Sequence, residues 1–147
     1  MVSLRRNKKG FTLIEIIVVI AIIAILGGIV AGSIYAVYRK SEKKAATSKL
    51  TESWSITTTA FHQINRGFTT FSSPNVNFLS TRLGTTKIIL GTNECESLAK
   101  DYIYIRYEYN PKSVSNKYKV VCIWTNKDGN YYYTTDGKNV IGPQSAP

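Results

Sequence analysis

Residues 9–20, KGFTLIEIIVVI, contain the change in composition that decides the fold: a basic, glycine-containing start becomes apolar at Phe11. From Ile16 to Tyr38 the chain has no charged side chain, a run of 23 residues. As an α-helix this run would measure roughly 35 Å, and roughly 20 apolar residues cross the hydrocarbon core of a membrane. A buried core helix would need protein on every side, which the remaining polar-rich sequence cannot supply. The run therefore predicts a membrane-inserting helix.

The segment before this run is basic, with four cations that favour a cytoplasmic N-terminus: Arg5, Arg6, Lys8 and Lys9. A secretory signal peptide has an apolar stretch of about 7–15 residues followed by a small-residue cleavage site. Here the apolar run is longer and the small residue, Gly10, precedes it, so we expect the helix to be retained. A second basic cluster follows the run, so charge alone leaves the orientation open: Arg39, Lys40, Lys43 and Lys44.

Helical periodicity continues beyond the apolar run as far as Gly67. Apolar or small side chains recur at intervals of three and four residues, at Ala46, Leu50, Trp54, Thr57, Phe61 and Ile64. The pattern predicts one helix from Phe11 or Thr12 to Asn65 or Arg66, with Gly67 as its stop. Its first half is apolar all round and its second half is amphipathic. Three consecutive threonines, 57–59, weaken this prediction because β-branched residues lower helix propensity.

The remainder of the chain changes to strand patterns. Polar residues from Phe68 to Asn93 predict a long loop, with a short strand over Thr86–Leu90. Period-two alternation then appears in three runs, DYIYIRYEY (101–109), NKYKVVCIW (116–124) and NYYYTT (130–135). The turns Asn126–Gly129 and Asp136–Gly137 complete an antiparallel meander of three or four strands with a short tail. Ordinary turns explain these two segments better than calcium sites do.

Alternation also assigns the strand faces. In the first run Ile103, Ile105, Tyr107 and Tyr109 share one face, opposite Tyr102, Tyr104, Arg106 and Glu108. In the second run Tyr118, Val120, Cys122 and Trp124 share a face. We predict an α+β fold in which one sheet face packs on the amphipathic half of the helix, around Leu50, Trp54 and Phe61.

Glu15 is an ionisable group inside the apolar run. A carboxylate at the bilayer centre costs roughly 2.5–3.5 kcal/mol by insertion scales, and no cationic side chain follows it until Arg39. A cut after Gly10 would give Phe11 an α-amino group, which is positive near neutral pH. This amine would lie one helical turn from Glu15, in the same chain or in a staggered neighbour, and we expect it to be the only local partner. The alternative is a glutamate at the membrane edge with access to water.

The run K-K-G-F-T-L-I-E, followed by a long apolar helix, resembles the class III leader and N-terminal helix of type IV pilins and the related pseudopilins. The resemblance is strongest from Lys8 to Tyr38. It implies that a prepilin peptidase cuts between Gly10 and Phe11 and methylates the Phe11 amine. It also implies that Glu15 is needed for methylation, or for pairing with the Phe11 amine of an adjacent subunit. An assembly ATPase and a platform protein would move the helix from the membrane into a fibre of identical and related subunits.

The resemblance also implies an organisation of the chain. Residues 1–10 are a cleaved leader, 11–38 a transmembrane and filament-core helix, 39–67 its amphipathic half and 68–147 a globular part. The precursor is a single-pass membrane protein, held by lipid, with its C-terminal part outside the cytoplasm, and the assembled form is a surface pilus. Gly28 and Gly32 form a G-x-x-x-G motif, which permits close helix packing. Many members have a proline where this chain has Gly32, and Gly27, Gly28 and Gly32 could supply the same flexibility.

Two cysteines, Cys95 and Cys122, lie in the part expected to be exported. In an oxidising compartment such a pair indicates a disulfide, and its 28-residue loop would contribute roughly 3–4 kcal/mol. Two buried thiols are the alternative. The pair resembles the one that bounds the C-terminal region of many pilins. Since His62 is the only histidine and no C-x-x-C occurs, we expect no zinc or other metal.

The formal net charge is +10, and without the leader the chain keeps 15 basic and 9 acidic side chains. Such an excess could attract anionic lipid headgroups or nucleic acid, but no compact basic patch stands out, so an ordinary basic surface is favoured. DNA binding would involve lysines such as Lys112, Lys117, Lys119 and Lys127. No nucleophile motif, carboxylate pair or phosphate loop indicates an enzyme or a cofactor.

The function expected from the resemblance is that of a structural pilin in a filament for adhesion, motility or aggregation. The alternative within the same group is a minor pilin, or a pseudopilin of a type II secretion or DNA-uptake system. Outside the group, the alternative is a single-span membrane sensor or receptor, which would keep its N-terminus uncleaved.

Overall fold

A first helix, α1, runs from Leu13 to Asn65, and a short helix and five strands follow it. The computed structural model describes residues 10–69, 74–95 and 97–145, without the side chains of residues 30 and 31. The other elements are α2 (Val76–Leu83), β1 (Ile88–Gly91), β2 (Ile103–Tyr109), β3 (Tyr118–Lys127), β4 (Asn130–Thr134) and β5 (Ile141–Gln144). The predicted α+β class is confirmed. Residues 1–9 of the predicted leader lie outside the described residues.

The chain divides into two units, the first ending at Lys40 and the second beginning at Ser41. Helix α1 contributes to both units. The second unit contains its amphipathic half, the sheet and α2.

The C-terminus of α1 is fixed by Gly67, which has a positive φ of 70°. The amide of Gly67 donates to the carbonyl of Ile64 (3.1 Å) and the amide of Phe68 donates to that of Gln63 (3.0 Å). These two bonds form a Schellman motif, which satisfies carbonyls that the helix itself leaves open. The helix end predicted from the sequence is confirmed.

The sheet has the order β1-β2-β3-β4-β5. Strands β2 to β5 pair antiparallel, whereas β1 pairs parallel with β2. The predicted antiparallel meander of three or four strands is confirmed by β2 to β5. The parallel pairing of β1 with β2 was not predicted. Strand β1 is joined to β2 by residues 92–102, which is close to the minimum of about 10–12 residues for a parallel crossover. The segment predicted as a tail contains β5.

The predicted turn between the second and third runs is confirmed. Lys127 pairs with Asn130, so Asp128 and Gly129 form a two-residue hairpin loop. Both have positive φ, 50° and 85°, which is the conformation of a type I′ turn. The side-chain oxygen of Asn126 accepts a hydrogen bond from the Gly129 amide (2.9 Å).

The predicted loop from Phe68 to Asn93 was also wrong, because it contains α2. Asn75 is the N-cap, and its side chain accepts a hydrogen bond from the Phe78 amide (2.8 Å). Gly84, with a φ of 63°, ends the helix. Both residues are sequence signals for a helix boundary, but the eight residues between them are too few to show a clear period. Residues 70–73 of this segment lie outside the described part of the chain.

A β-bulge in β3 changes the predicted faces. Arg106 pairs with Cys122 but Tyr107 pairs with Val120, so Val121 is an extra residue. Tyr118 and Val120 therefore face α1, and after the bulge Ile123 does so instead. Cys122 and Trp124 lie on the other face, where Trp124 packs with Tyr104 and Tyr131. The predicted alternation holds for β2 and fails in β3 at this residue.

The core lies between the amphipathic half of α1 and one face of the sheet. Phe61 is central to it: its ring makes edge contacts with Tyr107 and Tyr118, with centroids 5.9 and 6.2 Å apart. The face predicted from periodicity is confirmed, with Trp54 only partly buried. The buried side chains include Ala46, Leu50, Ala60, Phe61, Ile64, Ile88, Ile103, Ile105, Val120, Ile123 and Tyr132.

Glu42 extends the buried face of α1 towards Ser41, and the apolar pattern did not reveal it. Only 8% of the residue is exposed. Its Oε1 atom accepts hydrogen bonds from the Asn130 side chain (2.8 Å) and the Tyr132 hydroxyl (3.2 Å). Because buried charges need such partners, Glu42 joins the helix to β4.

Substituting Leu50 tests this packing. Leu50 is fully buried, so Leu50→Ala should lower the free energy of unfolding of the second unit by about 2–5 kcal/mol. Denaturant unfolding of the full chain in detergent, followed by near-UV circular dichroism, measures this change. Ser48→Ala, at an exposed position on the same helix, is the control and should change it by less than about 0.5 kcal/mol. Equal stability of the two variants would contradict the assigned helix face.

Candidate functional site

The N-terminus of α1 is built by Thr12 and Glu15. The Glu15 Oε2 atom accepts hydrogen bonds from the Thr12 backbone amide and the Thr12 hydroxyl, both at 2.8 Å. The Glu15 amide donates to the Thr12 hydroxyl oxygen at 3.4 Å. Since Leu13 is the first helical residue, Thr12 is the N-cap and Glu15 occupies the third helical position. This reciprocal pairing is a capping box.

The capping box corrects the expectation that processing alone could give Glu15 a local partner. A carboxylate in the first turn satisfies amides that the helix leaves open and interacts favourably with the helix dipole. The signal was present in the sequence, since T-L-I-E follows the S/T-x-x-E pattern of a capping box. Pairing of Glu15 with the Phe11 amine stays a prediction.

Gly10 and Phe11 precede the helix and are both exposed; 82% of Phe11 is accessible. A peptide bond outside regular secondary structure can adopt the extended conformation that a peptidase cleft binds. The bond between Gly10 and Phe11 therefore lies where cleavage does not require the helix to unfold.

The first unit exposes its apolar side chains around the whole helix. Their exposed fractions range from 47% at Ile16 to 82% at Phe11. Within the part of the chain that the structure describes, α1 is the one helix long and apolar enough to cross a membrane. The Arg39 guanidinium lies over the Tyr35 ring, 5.7 Å from its centroid. Tyrosine and basic residues are typical of the membrane–water interface, so Tyr35 to Lys40 have the composition of one end of a span.

Gly27, Gly28 and Gly32 lie within this segment of α1. A Cβ atom added at any of them would meet nothing within 4 Å. Packing within the described chain therefore gives no reason for glycine at these positions. Their role in flexibility or in packing against another helix stays a prediction.

Cys95 and Cys122 are both buried and line one cavity of about 270 Å³ on the face of the sheet opposite α1. Both are free thiols in the structure. Burial, and then the neighbouring Cys122, raises the pKa of Cys95 to about 11, and burial raises the pKa of Cys122 as well. The thiols are therefore protonated near neutral pH and poorly suited to nucleophilic or metal chemistry. Their disulfide stays a prediction.

The position of these cysteines differs from that implied by the resemblance. The segment between them contains all of β2 and the first four residues of β3, and both are central strands. Strands β4 and β5 follow Cys122. The pair therefore encloses part of the core, and the C-terminal region lies outside it.

The remaining candidate sites are accounted for by the fold. In the β4–β5 connection, Asp136 Oδ1 accepts bonds from the Lys138 and Asn139 amides, both at 2.8 Å, and Oδ2 accepts from the Asn139 side chain at 2.7 Å. The Asn139 and Lys138 amides lower the pKa of Asp136 to about 2. The turn itself thus occupies both carboxylate oxygens. Among the described residues no cluster of His, Cys, Asp and Glu could hold a metal ion.

The lysines considered for DNA binding do not form one patch. Lys112 and Lys117 lie in the β2–β3 connection, and Lys119 is near the start of β3. Lys127 is at the other end of this ten-residue strand, roughly 25–30 Å away at about 3.3 Å per residue.

Comparison with known proteins identifies the N-terminal segment. Residues 5–31 match the family model described as the prokaryotic N-terminal methylation motif, the class III leader of type IV pilins and pseudopilins. The resemblance found in K-K-G-F-T-L-I-E is thereby confirmed. The match covers 27 of the 147 residues and points to a pilin-like or pseudopilin-like precursor, a structural protein. No curated protein and no solved structure gave a significant match.

Thr12→Val tests the capping box. Loss of the hydroxyl should weaken the helix start by about 1 kcal/mol, which corresponds to roughly fivefold faster amide hydrogen exchange at Glu15 and Ile16. Exchange of the precursor in detergent, read by mass spectrometry, measures this change. Thr12→Ser keeps the hydroxyl and should exchange at the original rate. Equal exchange in the two variants would contradict a capping role for Thr12.

The cysteine pKa predicts slow alkylation of the reduced protein. With a pKa of about 11, only about one Cys95 thiol in a thousand is ionised at pH 8, and each unit rise in pH should speed alkylation roughly tenfold. The rate with iodoacetamide between pH 7 and 10 measures this. Cys122→Ser removes the second thiol but leaves Cys95 buried, so the pKa of Cys95 should remain raised. A rate that levels off below pH 9 would contradict burial of Cys95.

Proposed function

We propose that the chain is the precursor of a filament subunit of the type IV pilin kind, cleaved after Gly10 and polymerised through residues 11–38. The observation that carries the proposal is the coincidence of the methylation motif with a helix whose apolar side chains are exposed all round. Such a helix is stable only when lipid or other helices cover it. Lipid covers the helix in the precursor, and the helices of neighbouring subunits cover it in the filament.

Processing creates the interacting end of the subunit. A prepilin peptidase removes residues 1–10 and methylates the new Phe11 amine, in keeping with the exposed, non-helical Gly10 and Phe11. Before assembly the N-terminus is cytoplasmic and the second unit lies outside the cytoplasm. An assembly ATPase and its platform protein then move the helix from lipid into the fibre.

Glu15 aligns neighbouring subunits by pairing with the Phe11 amine of one of them. The capping box supports this role because it holds the carboxylate at the helix N-terminus through Oε2. Within residues 10–69, 74–95 and 97–145 no hydrogen bond to Glu15 Oε1 is present, so a second acceptor remains for a cation. Low dielectric in the filament core strengthens the attraction between the two charges.

We favour a surface pilus, serving adhesion, motility or aggregation, over a type II secretion or DNA-uptake pseudopilus. The turn at Asp136 uses both its carboxylate oxygens internally, which argues against a calcium-dependent pseudopilin. A disulfide between Cys95 and Cys122 would also suit a fibre exposed outside the cell. The basic residues considered for DNA are divided between two ends of β3, which does not favour a DNA receptor.

Two substitutions of Glu15 separate charge from capping. Glutamine at the third helical position can still form a capping box, but it cannot form an ion pair. Glu15→Gln and Glu15→Val should therefore both leave a membrane-inserted protein and both reduce the yield of sheared fibres by at least about tenfold, the effect of losing roughly 1.4 kcal/mol per subunit contact.

Mass spectrometry supplies the controls for this experiment. Mature subunits should begin at N-methylated Phe11, and an intact Met1 would refute the proposal. Glu52→Gln changes an exposed glutamate of the same helix and should assemble normally. Full fibre yield from Glu15→Gln, with none from Glu15→Val, would show that Glu15 acts by capping alone.

A further inference from the structure

Four lysines from distant parts of the sequence meet at one end of the sheet. Lys87 precedes β1, Lys100 precedes β2, Lys127 ends β3, and Lys49 reaches this end from α1. The Lys49 Nζ donates to the Asp101 carbonyl at 2.5 Å, and Lys127 forms an ion pair with the Asp101 carboxylate. Lys100 pairs with Asp128 at 2.5 Å. We call this group, with the exposed Lys43 and Lys44 of α1, the basic end.

Positive charge exceeds negative charge at the basic end. Among the described residues, six lysines and three acidic groups lie there, the acidic groups being Asp101, Asp128 and the buried Glu42. The pKa of Lys49 is lowered, first by burial and next by the nearby Lys127; Asp101 opposes this shift, and Lys87 adds a smaller lowering. The lysines thus repel one another, and an added anion would relieve the repulsion. Lys43, Lys44, Lys87 and Lys100 are exposed.

Chain connectivity brings the basic end to the membrane. The second unit begins at Ser41, three residues after Tyr38, where the uncharged run ends. Glu42 binds Asn130 at the start of β4, so the β3–β4 hairpin is at the same end of the unit as Ser41. Three residues span at most about 11 Å. Ser41 is therefore held within reach of lipid headgroups, and the basic end lies at the same end of the second unit as Ser41.

We propose that the basic end docks on anionic phospholipid headgroups while the precursor is in the membrane. Each lysine close to such a surface contributes attraction that falls off within a Debye length. The opposite end, with Lys112 and Lys117, is also basic but lies a strand length away, beyond this range. We favour lipid over nucleic acid as the partner because the basic end is at the membrane-proximal end of the second unit, and not because of the net charge of the chain. The inference rests on the membrane anchorage in the proposed function.

Amine labelling of the full-length precursor in vesicles tests the docking. In vesicles that contain phosphatidylglycerol, Lys87 and Lys100 should react about fivefold more slowly than in pure phosphatidylcholine, the change expected for headgroup contact. Lys112 and Lys117 are the internal control and should react equally in both. High salt should abolish the difference. Equal labelling of Lys87 and Lys100 in the two vesicles would overturn the proposal.

Charge reversal provides the matched variants. Lys87→Glu with Lys100→Glu should remove the protection of Lys43 and Lys44 in phosphatidylglycerol vesicles. Lys112→Glu with Lys117→Glu makes the same change of net charge and should leave the protection of Lys43 and Lys44 unchanged. Loss of protection in both variants would indicate a nonspecific charge effect and would overturn the docking surface.

Two further outcomes separate the alternatives. Protection by inorganic phosphate in phosphatidylcholine vesicles would indicate a general anion site, and protection only in assembled fibres would indicate a contact between subunits; either would overturn lipid docking. Resistance to alkaline extraction measures anchorage independently. An extractable chain would refute both the anchorage and the docking, whereas an anchored chain with unprotected lysines would refute the docking alone.

Discussion

The apolar surface of residues 11–38 is the constraint on which the rest of the molecule depends. Burial of one large apolar side chain stabilises by about 1.5–3 kcal/mol, so a helix of this composition gains tens of kcal/mol on leaving water. The described chain offers it no cover, since the large apolar side chains described between Phe11 and Tyr38 are about half exposed or more. The amphipathic half of α1 has the opposite property, because its apolar face is covered by the sheet within the same unit. The apolar face of the second half of α1 is thus buried within its own unit, whereas the apolar surface of the first half must be covered by lipid or by other helices.

Glu15 fits this constraint in two ways. As part of the capping box it satisfies the open amides of the helix start, where a water-poor environment would otherwise leave them unpaired. In the proposed filament its Oε1 atom, to which no described residue donates a hydrogen bond, pairs with a cation of a neighbouring subunit. The first role belongs to the precursor and the second to the proposed filament. Glu15 has no charged neighbour in the apolar sequence, but in the structure of the single chain it already has a hydrogen-bond partner, Thr12.

Sequence patterns predicted most features that depend on neighbouring residues, although they missed α2 and the capping box. They also missed the features that depend on distant residues. The end of α1 at Gly67, its buried face and the β3–β4 turn each follow from local chemistry. The parallel pairing of β1 and the bulge at Val121 depend on strand register, which a single-strand pattern does not contain. The bulge moved Cys122 to the face opposite α1. The basic end could not be predicted from the sequence, because most of its lysines are far apart along the chain and come together only at one end of the sheet.

The basic end and the apolar helix contribute very different free energies of interaction with the membrane, and this difference affects the proposed assembly. Headgroup attraction amounts to about 1 kcal/mol per lysine, a few kcal/mol in all, and salt screens it. Removal of the apolar helix from lipid involves an energy about ten times larger, so it requires replacement of lipid by other helices. In the proposed function, docking of the basic end therefore orients the second unit without adding much to the energy of extraction. It can be released by the same movement that transfers the helix into the filament.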